Sequence, residues 1–154
     1  MKSLFLFLGV LIVVNACQNN PSDSQQKESI MVTNKSLLNE GKELLEKNCY
    51  TCHSPKTPMD SRIAPPMVAV KKHYINSKTT KEVFVKEFVN FASNPSKEKS
   101  KMPGAVQKFG LMPKMVFAVE DLKKIAVYIY DNDIESPEWF EKHYQEEHKK
   151  HKNK

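Results

Sequence analysis

A chain of 154 residues with a formal charge of +6 is long enough for one small domain. Its four glycines and its lack of alternating apolar residues argue against a sheet-based fold, so we expect an all-α protein. Much of the positive charge comes from lysines in loops and near the C-terminus, without a nucleic-acid-binding motif. We therefore expect no nucleic-acid partner.

The N-terminal segment has the pattern of an export signal. Lys2 precedes an apolar run over residues 4–14, which ends in Asn15-Ala16-Cys17. The run is shorter than the about 20 apolar residues that span a bilayer. The pattern therefore predicts export and then cleavage after residue 16. Residues 14–17 resemble the lipobox of bacterial lipoproteins, which implies a lipidated Cys17. The alternative is an ordinary secretory signal in which Cys17 is incidental.

Composition divides the rest of the chain into three parts. Residues 17–33 are rich in Asn, Ser, Gln and Lys, which predicts a flexible tether. Residues 34–135 form the main domain. Residues 136–154 are an extra helix and a basic tail, because Ser136-Pro137-Glu138 is typical of a helix start.

Apolar residues at helical spacing predict three helices in the main domain. The first covers residues 36–48 and carries Gly41 on its apolar face, which favours a close helix crossing. The second begins with a capping box formed by Thr79 and Glu82. It ends at Asn94-Pro95. Its phenylalanines 84, 88 and 91 form core or the wall of a site. The third covers about residues 119–132.

The motif Cys49-Tyr50-Thr51-Cys52-His53 has the spacing of a covalent haem c site. Each thiol adds to one vinyl group of the porphyrin, and His53 follows at once as the proximal iron ligand. A thioredoxin-like pair would need alternating strands and helices around it. A zinc site would need a second pair of ligands. A disulfide would leave His53 without a role.

The chain resembles the small monohaem class I cytochromes c over residues 36–133. Gly41, Leu45 and Cys49 recur at the spacing of that family. The resemblance implies a cytochrome c fold, with three to five helices wrapped around one covalent haem. It also implies that Gly41 meets Tyr128 where the first and last helices cross. Finally, it implies that the Pro65 carbonyl orients the proximal imidazole, although Ala64 replaces the glycine of the family.

The resemblance also implies a methionine as the sixth iron ligand, from the loop before the last helix. Two Met-Pro loops are available, Met102-Pro103 and Met112-Pro113, and Met112 lies nearer that helix. We therefore predict His53 and Met112 as the iron ligands, with Met102 as the alternative. Weaker candidates are Met59, Met115 and His73, the last giving bis-histidine ligation. Each methionine could instead fill a gap beside the haem.

These features predict a non-enzymatic electron carrier, anchored to a membrane on the periplasmic side of a bacterium by acyl chains on Cys17. Its partners would be a redox protein donor and acceptor, met through small and transient contacts. One alternative is a peroxidase-like haem enzyme with an open sixth site. Another is a haem-based gas sensor, for which the chain offers no output domain.

Overall fold

The computed structural model describes Ser36 and residues 38–152. Over that part the chain forms helices and connecting loops without a strand, which confirms the all-α prediction. The helices are α1 (38–48), α2 (Tyr50–His53), α3 (Met67–Tyr74), α4 (Lys81–Ser93), α5 (Pro103–Phe109), α6 (Val119–Asp131) and α7 (Phe140–Lys152). A 3₁₀ turn covers Met59–Ser61.

The predicted signal peptide, the tether and Cys17 lie outside the described residues. Within the range that is described, no helix is long and apolar enough to cross a bilayer. The seven helices found there exceed the three to five that the resemblance implied, because α2, α3 and α5 are short segments around the site.

Helices α4 and α6 lie close to their predicted positions, but the capping box was wrong by one residue. Thr80, not Thr79, caps α4, and its side chain accepts a hydrogen bond from the Val83 amide at 3.4 Å. The Thr79 hydroxyl instead accepts from the Asn76 amide at 3.1 Å and closes the turn before α4. The Thr79 hydroxyl therefore serves the turn, as such local side-chain bonds do, and the hydroxyl of Thr80 serves the helix.

The predicted start of the last helix was also wrong. Pro137 is buried, and its carbonyl accepts a hydrogen bond from the Phe140 amide at 3.0 Å. Pro137 therefore belongs to the turn before α7 and not to its first turn. The helix continues to Lys152, into the segment predicted as a basic tail.

Helices α1 and α6 cross in backbone contact at Gly41. A Cβ atom on Gly41 would lie 2.6 Å from the carbonyl oxygen of Lys124 and 2.8 Å from the Cβ atom of Tyr128. Because neither backbone nor Cβ atoms can swing aside, only glycine fits without a shift of one helix. The crossing and the contact with Tyr128 are confirmed.

The core lies where α1, α4 and α6 meet. Helix α4 packs along α6. The largest fully buried side chains come from these three helices: Leu45, Phe84, Leu122, Ile125 and Ile129. Helix α4, which carries the predicted phenylalanines, therefore packs into the core through Phe84. Its C-terminal half faces the site described below.

Candidate haem-binding site

The Cys-His motif occupies the short helix that follows α1. The Cys49 amide bonds to the Leu45 carbonyl at 2.9 Å, and the His53 amide bonds to the Cys49 carbonyl at 2.8 Å. Residues three and four apart on a helix share one face. Cys49, Cys52 and His53 therefore project to the same side, and all three line one cavity.

That cavity has a volume of about 480 Å³, within the range of small-molecule and cofactor sites. It lies between α2, α3, α4, α5 and the loop 110–117. Its wall is largely apolar and includes Met67, Val70, Phe88, Phe91, Phe109 and Phe117. Two phenylalanines of the predicted stripe, Phe88 and Phe91, thus form the wall of a site.

The His53 imidazole is oriented by a backbone carbonyl. Its Nδ1 lies 2.7 Å from the Pro65 oxygen and donates to it. Burial lowers the pKa of His53, and the nearby charge of Arg62 lowers it further, against the opposing effect of the Pro65 hydrogen bond. A neutral imidazole with its Nδ1–H engaged presents Nε2 as a metal ligand. The Pro65 contact is the one that the resemblance implied.

The two cysteines are not bonded to each other. Burial raises the pKa of the Cys49 thiol to about 11, and the charge of Cys52 adds to the effect. The attacking thiol of a redox-active Cys-x-x-Cys pair has a lowered pKa instead. The described residues also bring together no cluster of three or more His, Cys, Asp or Glu side chains that could hold a metal ion. The site therefore matches neither a dithiol catalyst nor a zinc centre.

Both Met-Pro candidates reach the cavity that holds His53. Met112 is half-buried on the loop 110–117, and Met102 is buried. Met115 also lines the cavity but is about half exposed, at 49%. Met102 does not lie in the middle of a loop, as predicted, but is the N-cap of α5, with Pro103 at the first helical position. Proline at that position favours a helix start, a signal that our sequence analysis missed.

The other two candidates lie elsewhere. Met59 is in the 3₁₀ turn and is not among the residues that line the cavity. His73 is exposed on α3, where its ring meets Tyr144 edge-on at a centroid distance of 6.2 Å. The described structure therefore places neither of them beside His53.

Arg62, which the sequence analysis did not single out, lies beside the site. It is a buried charged side chain, 8% exposed. Its guanidinium donates to the carbonyls of Ser54 at 2.8 Å, Thr57 at 2.9 Å and Ala64 at 3.2 Å. A sequence signal for this role was available: Arg62 is the one arginine of the chain and lies in a loop with many prolines. The carbonyl groups of such a loop lack helical partners and need a donor.

A family model described as a haem-binding domain matches residues 6–120. The chain belongs to the haem-binding domain family. A protein of Aquifex aeolicus (strain VF5), described as uncharacterized, is 31% identical over 158 residues, which cover 88% of this chain and 91% of that protein. No solved structure matches.

Membership of the haem-binding domain family supports a haem cofactor for this protein. The residues present fit it, because an apolar cavity suits a flat macrocycle and His53 offers a neutral imidazole to iron. The motif, the Pro65 carbonyl and both Met-Pro candidates lie inside the matched residues. Most of α6 and all of α7 lie beyond them.

Proposed function

We propose that this protein is an electron carrier that holds one haem c covalently through Cys49 and Cys52, with His53 as the proximal iron ligand. The observation that carries the proposal is the pairing of His53 with the Pro65 carbonyl inside the apolar cavity that both cysteines line. This pairing leaves Nε2 as the nitrogen available to iron.

The chain supplies attachment, ligation and exclusion of water. Each thiol would add its S–H bond across one vinyl group, with sulfur forming a thioether and the hydrogen going to the neighbouring carbon. Haem, when bound, would supply an iron that takes up and releases one electron. The His53 Nε2 would be the nitrogen that holds this iron, and the engaged Nδ1–H fixes the tautomer. Phe88, Phe91 and the other apolar residues of the wall exclude water, which tunes the potential.

We further propose Met112 as the sixth ligand. It is on the loop that leads directly into α6, and it lines the cavity with His53. Thioether ligation raises the reduction potential and leaves no coordination position for a substrate. Met102 is the alternative, since it lines the same cavity while capping α5.

A carrier is favoured over a peroxidase-like enzyme by the lining of the cavity. A peroxidase needs an acid–base group opposite the proximal ligand. Among the described residues that form the wall, His53 is the one histidine. The loop 110–117 contributes to the same wall the thioethers of Met112 and Met115 and the ring of Phe117. These side chains can close an iron site but cannot move protons.

The membrane anchor is a separate part of the proposal. Cys17 follows an apolar run in a lipobox-like segment, and the other two cysteines have a role in the haem site. Acyl chains on Cys17 would hold the carrier at the periplasmic face, and the polar segment 17–33 would give it reach toward donor and acceptor proteins. Membrane fractions should retain the wild type and lose Cys17→Ser. Equal retention of both contradicts the anchor.

The carrier proposal is tested with carbon monoxide. Reduced wild-type protein should show the spectrum of a six-coordinate haem, and the spectrum should stay nearly unchanged under carbon monoxide. The oxidised protein should show the weak near-infrared band of thioether-to-iron charge transfer. Rapid and complete carbon monoxide binding by the wild type would show an open site and would contradict the carrier.

A further inference from the structure

The segment between His53 and Pro65 is held by a single side chain. The Arg62 guanidinium donates to the carbonyl of Ser54, directly after His53, and to that of Ala64, directly before Pro65. A third hydrogen bond goes to the carbonyl of Thr57. The two ends of the loop that joins the imidazole to its acceptor are thus connected through one rigid, planar group.

Arg62 is itself fixed by a ring from the C-terminal part of the chain. Its guanidinium carbon lies 4.9 Å from the centre of the Trp139 ring, which is the geometry of a cation–π contact. Trp139 directly precedes α7. That helix is attached to α3 by an ion pair of Lys72 with Glu141 at 3.8 Å and by the Lys72 ammonium, 5.2 Å from the Tyr144 ring centre.

We propose that Arg62 is a positioning residue for the proximal imidazole and that Trp139 holds Arg62 in this role. The inference rests on the proposed function of His53 as the iron ligand. Trp139 lies outside the family-matched residues 6–120, so the proposed support comes from a part of the chain beyond the matched region. The support acts through the Pro65 carbonyl, since neither Arg62 nor Trp139 is among the residues that line the cavity.

The geometry predicts what loosening this support does. If the loop relaxes, the Pro65 carbonyl moves away from Nδ1, and the imidazole donates less electron density to iron. Fe(III) is then less favoured relative to Fe(II). Loss of the Arg62 charge would act in the opposite direction, because a nearby cation favours the ferrous form. A decisive variant must therefore keep the positive charge and change only the geometry.

Two variants of the full-length holoprotein meet that condition. Arg62→Lys keeps the charge but lacks the planar fork that reaches several carbonyls. Trp139→Leu keeps Arg62 and removes the ring behind it. Trp139→Phe, which retains an aromatic face, should behave like the wild type. The matched control is Lys71→Gln, because the Lys71 ammonium donates to the Asn132 carbonyl at 2.6 Å, a cation-to-carbonyl contact away from the loop 54–64.

The direct readout is solvent exchange of the His53 Nδ1 proton, measured by NMR in the reduced, ¹⁵N-labelled protein. We expect Arg62→Lys and Trp139→Leu to accelerate this exchange about fivefold, the factor that corresponds to one ordinary hydrogen bond. At a fixed solution potential, both variants should lower the Fe(III):Fe(II) ratio by roughly a factor of three, because only part of the free energy of that hydrogen bond is felt at the iron. Lys71→Gln, which removes a charge as well as a cation-to-carbonyl contact, should lower the melting temperature and leave the exchange of the Nδ1 proton unchanged; it is a control for the exchange measurement only.

Wild-type exchange and an unchanged ratio in both variants, with a lower melting temperature, would overturn the proposal, because Arg62 would then be structural only. If Arg62→Lys does not fold, Trp139→Leu gives the same test, since it retains the guanidinium. Failure of both to fold while Lys71→Gln folds would also overturn it. The wild-type protein is measured first. If it holds no haem ligated by His53, that result contradicts the proposed function and says nothing against the role of Arg62.

Discussion

The two sides of the cavity are held in different ways. On the side that holds His53, residues 49–65, here called the proximal side, hydrogen bonds within the chain hold the segment: His53 bonds to Pro65 at 2.7 Å, and Arg62 bonds to three carbonyls. We call α5 and the loop 110–117, which carry the candidate sixth ligands, the distal side. There Val116 is fully exposed and Met115 is 49% exposed. The proximal geometry is set by hydrogen bonds within the chain, whereas the distal loop offers several thioethers without such a constraint.

The difference explains why one ligand follows from a short motif and the other does not. His53 is adjacent to Cys52, and a single helical turn fixes the whole motif. The proposed sixth ligand, Met112, lines the cavity from a loop that also contains Met115, while Met102 lines it as the N-cap of α5. Variants on the two sides should therefore differ in what they change: the near-infrared band and carbon monoxide binding, or the free energy of unfolding.

The largest effect is expected on the distal side, at Met112. Met112→Ala should abolish the near-infrared band, lower the reduction potential and open the iron to carbon monoxide, because it removes the thioether. The half-buried position of Met112 predicts only a modest loss of stability.

Met102→Ala is the matched control for Met112→Ala. Met102 is 9% exposed, so its truncation should cost about 2–5 kcal/mol of unfolding free energy. The near-infrared band and the resistance to carbon monoxide should remain. Urea denaturation and spectroscopy on the same samples separate the two effects. The reverse pattern would assign the sixth ligand to Met102 and leave the carrier proposal intact.

A smaller effect is expected at the helix crossing that supports the proximal side. Gly41→Ala should lower the free energy of unfolding by about 1–3 kcal/mol, because the new methyl group meets the Lys124 carbonyl and the Tyr128 Cβ atom. The higher helix propensity of alanine offsets only about 1 kcal/mol of this overlap. Denaturant unfolding of the holoprotein measures the change.

Gly104→Ala provides the comparison on the distal side. A Cβ atom on Gly104 meets nothing within 4 Å, and the residue lies in the first turn of α5. This substitution should be neutral or slightly stabilising, since alanine favours a helix. Equal destabilisation by the two substitutions would contradict the close crossing of α1 and α6.

The sequence predicted the parts of this molecule that depend on local patterns. Helices α1, α4 and α6 follow from apolar spacing, and Gly41 with Tyr128 follows from the resemblance to class I cytochromes c. The predicted contact between Pro65 and His53 is also present. The helices depend on neighbours along the chain, whereas the contacts of Gly41 with Tyr128 and of His53 with Pro65 follow from the resemblance.

The parts that were missed depend on contacts between distant residues. Arg62 and Trp139 are separated by most of the domain, and no local pattern connects them. Thr79 is the better cap by sequence because Glu82 follows it by three residues, but its hydroxyl accepts from the Asn76 amide and Thr80 caps the helix instead. The start of α7 depends on the burial of Pro137.

The central claim is covalent attachment of haem at Cys49 and Cys52, and one measurement tests it most directly. Purified wild-type protein is denatured, separated by electrophoresis and stained for haem peroxidase activity, alongside a sample extracted with acid acetone. We expect the stain at the wild-type band before and after extraction, and no stain for the double variant Cys49→Ala/Cys52→Ala. Haem that leaves the wild-type chain on extraction would contradict the account.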